Sequence, residues 1–159
     1  MFSTTKTLLL LSTLALCSAD GEKRNTCRPG WFDASFLELG CLLFNTTASY
    51  SWEEANVYCQ QREQANLVEI SNKEQLDFVQ MEMGLLGGDY WWTSGTDNGR
   101  EGAFAWMGSL NLVGDFIWYQ NEPSGGYEHN CLCLSSALSY FGADCECSYR
   151  TQVICQQVL

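Results

Sequence analysis

Basic side chains are scarce in this chain: eight Lys and Arg stand against 19 Asp and Glu over 159 residues, a formal charge of −11. A chain this acidic offers no basic face for nucleic acid or anionic lipid. Histidine occurs once, at His129, and nothing near it forms a catalytic pair; its plainer reading is an exposed loop residue. No phosphate-cradling glycine loop, zinc-ligand spacing or nucleophile–base pair is present, which excludes the common catalytic classes and leaves binding. After the first twenty residues no apolar run approaches the ~18 residues of a membrane span. Internal repeats, low-complexity tracts and collagen-like or coiled-coil segments are absent too, so no segment multiplies a weak site.

What is present begins with Lys6, an apolar run from Leu8 to Leu16, and Cys17-Ser18-Ala19. A basic start, a short apolar stretch and small residues before a cut read as a signal peptide over 1–19, cleaved after Ala19. An N-terminal anchor is the alternative, and length and flanks favour cleavage. The expected product is secreted and extracellular, with a short polar segment at 20–26 and one domain over 27–156. Loss of Lys6 leaves 7 basic against 19 acidic residues, a formal −12. The surplus suits cation binding, or more plainly solubility. Loss of Cys17 turns nine cysteines into eight. An even count in a small secreted chain reads as a disulfide framework, with on the order of a hundred pairings open.

Along the domain, Cys27 to Phe44 alternates like a hairpin that Cys27 and Cys41 could staple. Asn45-Thr46-Thr47 is a glycosylation acceptor in an expected turn, with Asn45 the modified residue. Ser51-Trp52-Glu53-Glu54 is a capping box, and Trp52, Ala55 and Cys59 give its helix one buried stripe. Ala65 to Ile70 alternates like a strand. Ser71 to Glu74 reads as a second capping box, opening a helix with Leu76, Val79 and Met83 inward and stopped by Gly84, Gly87 and Gly88. Two helices of about ten residues are expected. Tyr90 to Thr93, Ala103 to Trp106, Cys131 to Leu134 and Thr151 to Cys155 read as strands among long loops. The class is α+β. Eight Phe, seven Tyr and six Trp supply bulk for its core.

In order along the chain, several pieces now form a pattern. Ser51 to Ala55 lead to Cys59; Trp92-Thr93-Ser94-Gly95 and Glu101-Gly102-Ala103-Phe104-Ala105-Trp106 follow. Trp118 precedes Glu122-Pro123-Ser124, and Asp144-Cys145-Glu146-Cys147 precedes Cys155. Over about residues 27–156 the chain resembles the C-type lectin-like domain in its long form, with W-I-G-L, E-G-x-W-x-W, E-P-N and D-x-x-C as the matching motifs. The resemblance implies two helices with short antiparallel sheets and a long stapled loop region. It pairs Cys59 with Cys155, Cys131 with Cys147 and Cys27 with Cys41. Cys133 and Cys145 are left over and could form a second rung between the same segments or stay free thiols.

The resemblance also implies a calcium ion and a sugar. In family members that use calcium, an E-P-N triplet with a cis proline, a later glutamate and an N-D pair hold the metal, and vicinal sugar hydroxyls complete its shell. Carried over, Glu122, Ser124, Glu128 and Asp144 are the principal metal candidates. Glu122, Ser124, Tyr127 and Asp144 are the ligand-binding candidates. The departures are Ser124, which lacks an amide NH₂, Ala143 in place of the second asparagine, and Glu128, one residue out of place with His129 in the expected position. Asp97 and Glu101 keep the spacing of an auxiliary calcium site; the plainer reading is an Asp turn, with Glu101 paired to Arg100 or capping a loop amide. Glutamate-first order points to mannose-type glycans, and the family suggests a role in innate immune recognition. The alternative is a calcium-independent lectin-like domain that binds protein or another non-sugar ligand.

Overall fold

The computed structural model describes residues 26–159, so the expected leader and residues 20–25 lie outside the described residues. The chain runs through β1 (Phe32–Asp33), β2 (Cys41–Tyr50), α1 (Trp52–Glu63), β3 (Asn66–Leu67) and α2 (Lys73–Leu86). Then come β4 (Tyr90–Thr96), β5 (Ala105–Trp106), β6 (Cys131–Ser135), β7 (Phe141–Cys145) and β8 (Thr151–Gln157). The sheet order is β1-β2-β8-β4-β6-β7, with β3 added to β8 and β5 to β4. Among the strands of the described residues only the β4–β8 pair is parallel, so the architecture is two helices with a mixed, mainly antiparallel sheet.

The sheet separates two cores because neighbouring strand residues face opposite ways. Trp91 joins Leu76, Val79 and Met83 of α2, while Trp92 joins Trp52, Ala55 and Cys59 of α1. Both tryptophans are fully buried. Indole Nε1 groups also tie α1 and β2 to β4: Trp52 donates to Thr93 O at 2.8 Å, and Trp92 donates to Tyr50 O at 2.9 Å. Four disulfides are present, Cys27–Cys41, Cys59–Cys155, Cys131–Cys147 and Cys133–Cys145. The second spans 96 residues. Closing so long a loop removes unfolded-state freedom worth on the order of 4 kcal/mol in the chain-entropy account. In the β6–β7 ladder Cys131 faces Cys145, so both bridges there run diagonally.

Several local expectations shift. The capping box at Ser51 forms: its side chain accepts from Glu54 N, and Glu54 Oε2 accepts from Ser51 N at 3.0 Å. The second helix instead starts one residue later than the motif suggests. Asn72 is its cap, accepting from Gln75 N at 3.0 Å. The register is set by buried Gln75, whose amide accepts from Ser71 N and donates to Leu37 O. Gly84 lies inside α2, and Gly87 ends it. The helices have 12 and 14 residues, while the strands expected at Ala65–Ile70 and Ala103–Trp106 shrink to two residues each. Asn45 lies within β2, nine-tenths buried, and its Oδ1 holds Thr47 N and Oγ1; the expected turn is not there.

β7 escapes sequence reading because Gly, Ala and Asp are poor strand formers. Gly142 is needed there: a Cβ would lie 2.7 Å from Ile117 Cγ2. That closeness lets Trp118 bridge to Gly142 and Tyr119 N donate to Gly142 O at 2.9 Å. The long loop is thereby laid against β7.

The cap assignment is testable by urea unfolding with disulfides intact. Asn72→Ala should cost about 1 kcal/mol, and Ser71→Ala less than about 0.5 kcal/mol. A larger loss for Ser71→Ala would return the cap to Ser71.

Candidate functional site

The loop that leaves Trp118 folds back on itself before reaching β6. Glu122 N donates to Tyr119 O at 3.0 Å, Asn121 takes a left-handed φ of 69°, and the Glu122–Pro123 bond is cis. A 3-10 turn over Gly126–Glu128 follows. Trp118 is half-buried against Phe104, with ring centroids 4.8 Å apart, and so anchors the loop base.

The loop closes on Asp144 of β7. Its Oδ1 accepts from Ser124 N at 2.9 Å and its Oδ2 from Gly125 N at 2.6 Å. Asp144 is 9% exposed, so these two bonds satisfy a largely buried charge. The Ser124 hydroxyl in turn donates to the Glu122 carboxylate, 3.1 and 3.3 Å from its two oxygens. Burial is the main cause that raises the Glu122 pKa above 4.5, and the neighbouring Asp144 carboxyl adds to it; Ser124 acts against the rise. Two carboxylates thus share one edge with no cationic side chain to neutralise them in any ion pair among the described residues.

Of the predicted residues, Glu122, Ser124 and Asp144 come together. Glu128 is exposed on the 3-10 turn. Among the described residues no three Asp, Glu, His or Cys side chains converge as a metal-holding group, so Glu128 does not join the pair. Tyr127 is 82% exposed and Asn130 Nδ2 donates to its carbonyl. Ala143 faces Cys133 in the ladder and offers no ligand. His129 is half-buried, against the expectation of an exposed residue. It packs on Gly125, where any Cβ would fall 1.7 Å from its Nδ1. Sequence reasoning did not single out the Gly125 amide, which holds Asp144, as a contact to that carboxylate.

The auxiliary pair divides. Asp97 is 3% exposed, its Oδ2 accepts from Gly102 N at 2.8 Å, and its buried Oδ1 has no protein partner. Glu101 is exposed and makes no ion pair with Arg100. Asp97 thus caps a loop amide with one carboxylate oxygen and leaves the other without a protein partner.

Calcium takes six to eight oxygens. Glu122, Asp144 and Ser124 Oγ match it in chemistry, and their uncompensated charge favours a cation, but they fill only part of a shell. Each Asp144 oxygen already takes one amide proton and keeps one lone pair free. Shallow grooves flank the edge. One of about 330 Å³ runs past Glu122 and Pro123 to Phe104 and Trp118, and one of about 300 Å³ runs past Asp144 and His129. A larger depression of about 640 Å³, beside Tyr50 and Tyr58 of the α1 side, lies away from the carboxylate pair.

Comparison with known proteins follows the geometry. The family profile described as Lectin C-type domain matches residues 48–157. The chain is 26% identical to human C-type lectin domain family 17, member A, over 85% of its own length and 33% of that protein. It is 30% identical to rat asialoglycoprotein receptor 1 over 73% of its length and 38% of the receptor. The chain thus spans only about a third of these relatives. Among solved structures, the C-type lectin domain of murine dendritic cell inhibitory receptor 2, in complex with N-glycan, superposes with a TM-score of 0.71 at 19% identity. The match covers 84% of this chain and 100% of that one. A calcium-independent type II antifreeze protein gives 0.69 at 18%, covering 84% and 95%. At such identities these likenesses speak for the fold.

Because the folded state raises the Glu122 pKa, it binds more protons than the unfolded state between the two values. The group's contribution to stability is fully present below its unfolded pKa and is lost as pH rises through the folded one. In chelator, Glu122→Gln should therefore melt higher than wild type at pH 7, with the difference vanishing toward pH 4. A variant that melts lower at pH 7 would contradict the raised pKa of the buried Glu122 carboxyl.

Proposed function

The chain belongs to the C-type lectin domain family, and on that premise we propose that it is a secreted carbohydrate-binding domain, spanning 27–156, whose binding edge is Glu122, Ser124 and Asp144. The observation that carries the reading is the pair of unneutralised carboxylates held together across the cis Glu122–Pro123 loop. Carboxylates accept hydrogen bonds from vicinal sugar hydroxyls, and the Ser124 hydroxyl can give or take one. The loop is positioned in advance by Asp144, so little ordering is needed on binding.

Calcium is the natural counter-charge. Glu122 and Asp144 would hold it with help from Ser124, and when bound it supplies neutralisation and sites for hydroxyl oxygens. Asp97, with its orphan buried oxygen, is the stronger half of an auxiliary site. Glutamate-first order supports mannose-type glycans, and recognition of microbial glycans suits a secreted domain of this family. Four disulfides fit an oxidising compartment, and no helix of the described residues is long and apolar enough to cross a membrane. The glycan-bound dendritic cell receptor domain supports sugar binding on this fold.

Three observations favour a second reading, a metal-independent domain. Both Asp144 oxygens are engaged by Ser124 and Gly125 amides, Ala143 supplies no ligand, and a calcium-independent protein shares the fold. Calorimetry and melting separate the two. Millimolar calcium should release or absorb heat and raise the melting temperature, and Glu122→Gln should weaken that binding at least about tenfold by removing a charged ligand. A glycan array should respond to mannosides only with calcium. Absence of both heat and stabilisation would leave the metal-independent reading.

A further inference from the structure

The groove of about 300 Å³ beside Asp144 has a composition that the carboxylate edge lacks. Its walls are Tyr90, His129, Asp144, Cys145, Glu146 and Tyr149. Tyr90 and Tyr149 form an edge-to-face pair with centroids 5.4 Å apart, and Tyr149 is 51% exposed. Aromatic rings with polar tips suit a ligand that has an apolar C–H face and a hydroxylated rim. Glu146 and Asp144 accept from hydroxyls and repel anions.

The wall is fixed before any ligand arrives. Cys147 is stapled to Cys131, and its carbonyl accepts from Trp52 N at 2.9 Å. Tyr149 N donates to Glu146 O at 2.9 Å, closing a turn. Arg150 next to it is tied to Glu54 and to Ser49 O, and Thr151 Oγ1 donates to Tyr90 O. These bonds fix the backbone that carries both tyrosines, so little ordering of the wall is needed on binding.

We propose that this groove is a second sugar subsite, taking the next pyranose of an oligosaccharide whose first residue sits at Glu122 and Asp144, with Tyr149 as its stacking residue. The inference rests on the carbohydrate reading of that edge. Asp144 supports it by bordering both places: its carboxylate anchors the loop at one, and the residue is part of the groove wall at the other. The consequence is selectivity by length. The domain prefers oligosaccharides to monosaccharides, and that preference belongs to Tyr149.

The test compares methyl α-mannoside with an α-linked mannotriose, by calorimetry in calcium, on wild type, Tyr149→Ala and Tyr149→Phe. The trisaccharide should bind wild type about tenfold more tightly. Tyr149→Ala should remove that margin and leave monosaccharide affinity unchanged, and Tyr149→Phe, which keeps the ring, should retain it. Because Tyr149 is half exposed, the fold survives truncation; equal melting temperatures check this. A margin that persists in Tyr149→Ala, or a trisaccharide that binds no better than the monosaccharide, overturns the subsite alone. Wild type that binds neither sugar overturns the edge reading and the subsite with it.

Discussion

Everything at the binding edge depends on one carboxylate that accepts two adjacent amides. Asp144 reaches from β7 to Ser124 and Gly125, and those bonds decide where the loop lies. A buried carboxylate without partners would be strongly unfavourable, so the contact stabilises both strand and loop. The same contact brings a second carboxylate, Glu122, beside the first; burial above all, and then the neighbouring Asp144 carboxyl, raises its pKa.

The frame around this contact is built to be rigid. β7 is joined to β6 by a full ladder and two diagonal disulfides, and β6 is joined to β4, whose tryptophans fill both cores. The Cys59–Cys155 bridge then fixes α1 to β8, on the far side of the parallel β4–β8 pair. The loop itself has little regular structure. Its order comes from Trp118 at the base, Gly142 beneath and Asp144 at the tip.

Much of this was legible from residue types. The Ser51 box, the stripe of Trp52, Ala55 and Cys59, and each of the motifs that resemble the family are short stretches of sequence, where local chemistry speaks clearly. Less legible was what depends on partners far along the chain. Asn72 displaces Ser71 as a cap because Gln75 reaches Leu37, 38 residues away. Gly125 matters only because Asp144 and His129 meet it. Glu128 stands one residue out of place by spacing, and the 3-10 turn leaves it exposed and apart from the pair. Tyr90 and Tyr149 are 59 positions apart, and only the crossing to β8 makes them one wall.

The most direct measurement of the central claim follows the backbone amides of Ser124 and Gly125 in the ¹⁵N-labelled chain through titration with calcium and then with mannoside. These two protons report on the Asp144 contact itself. The account predicts that both shift saturably at each step while amides of the α2 face stay still. Sugar binding that leaves Ser124 and Gly125 unmoved would place the functional edge elsewhere and contradict it.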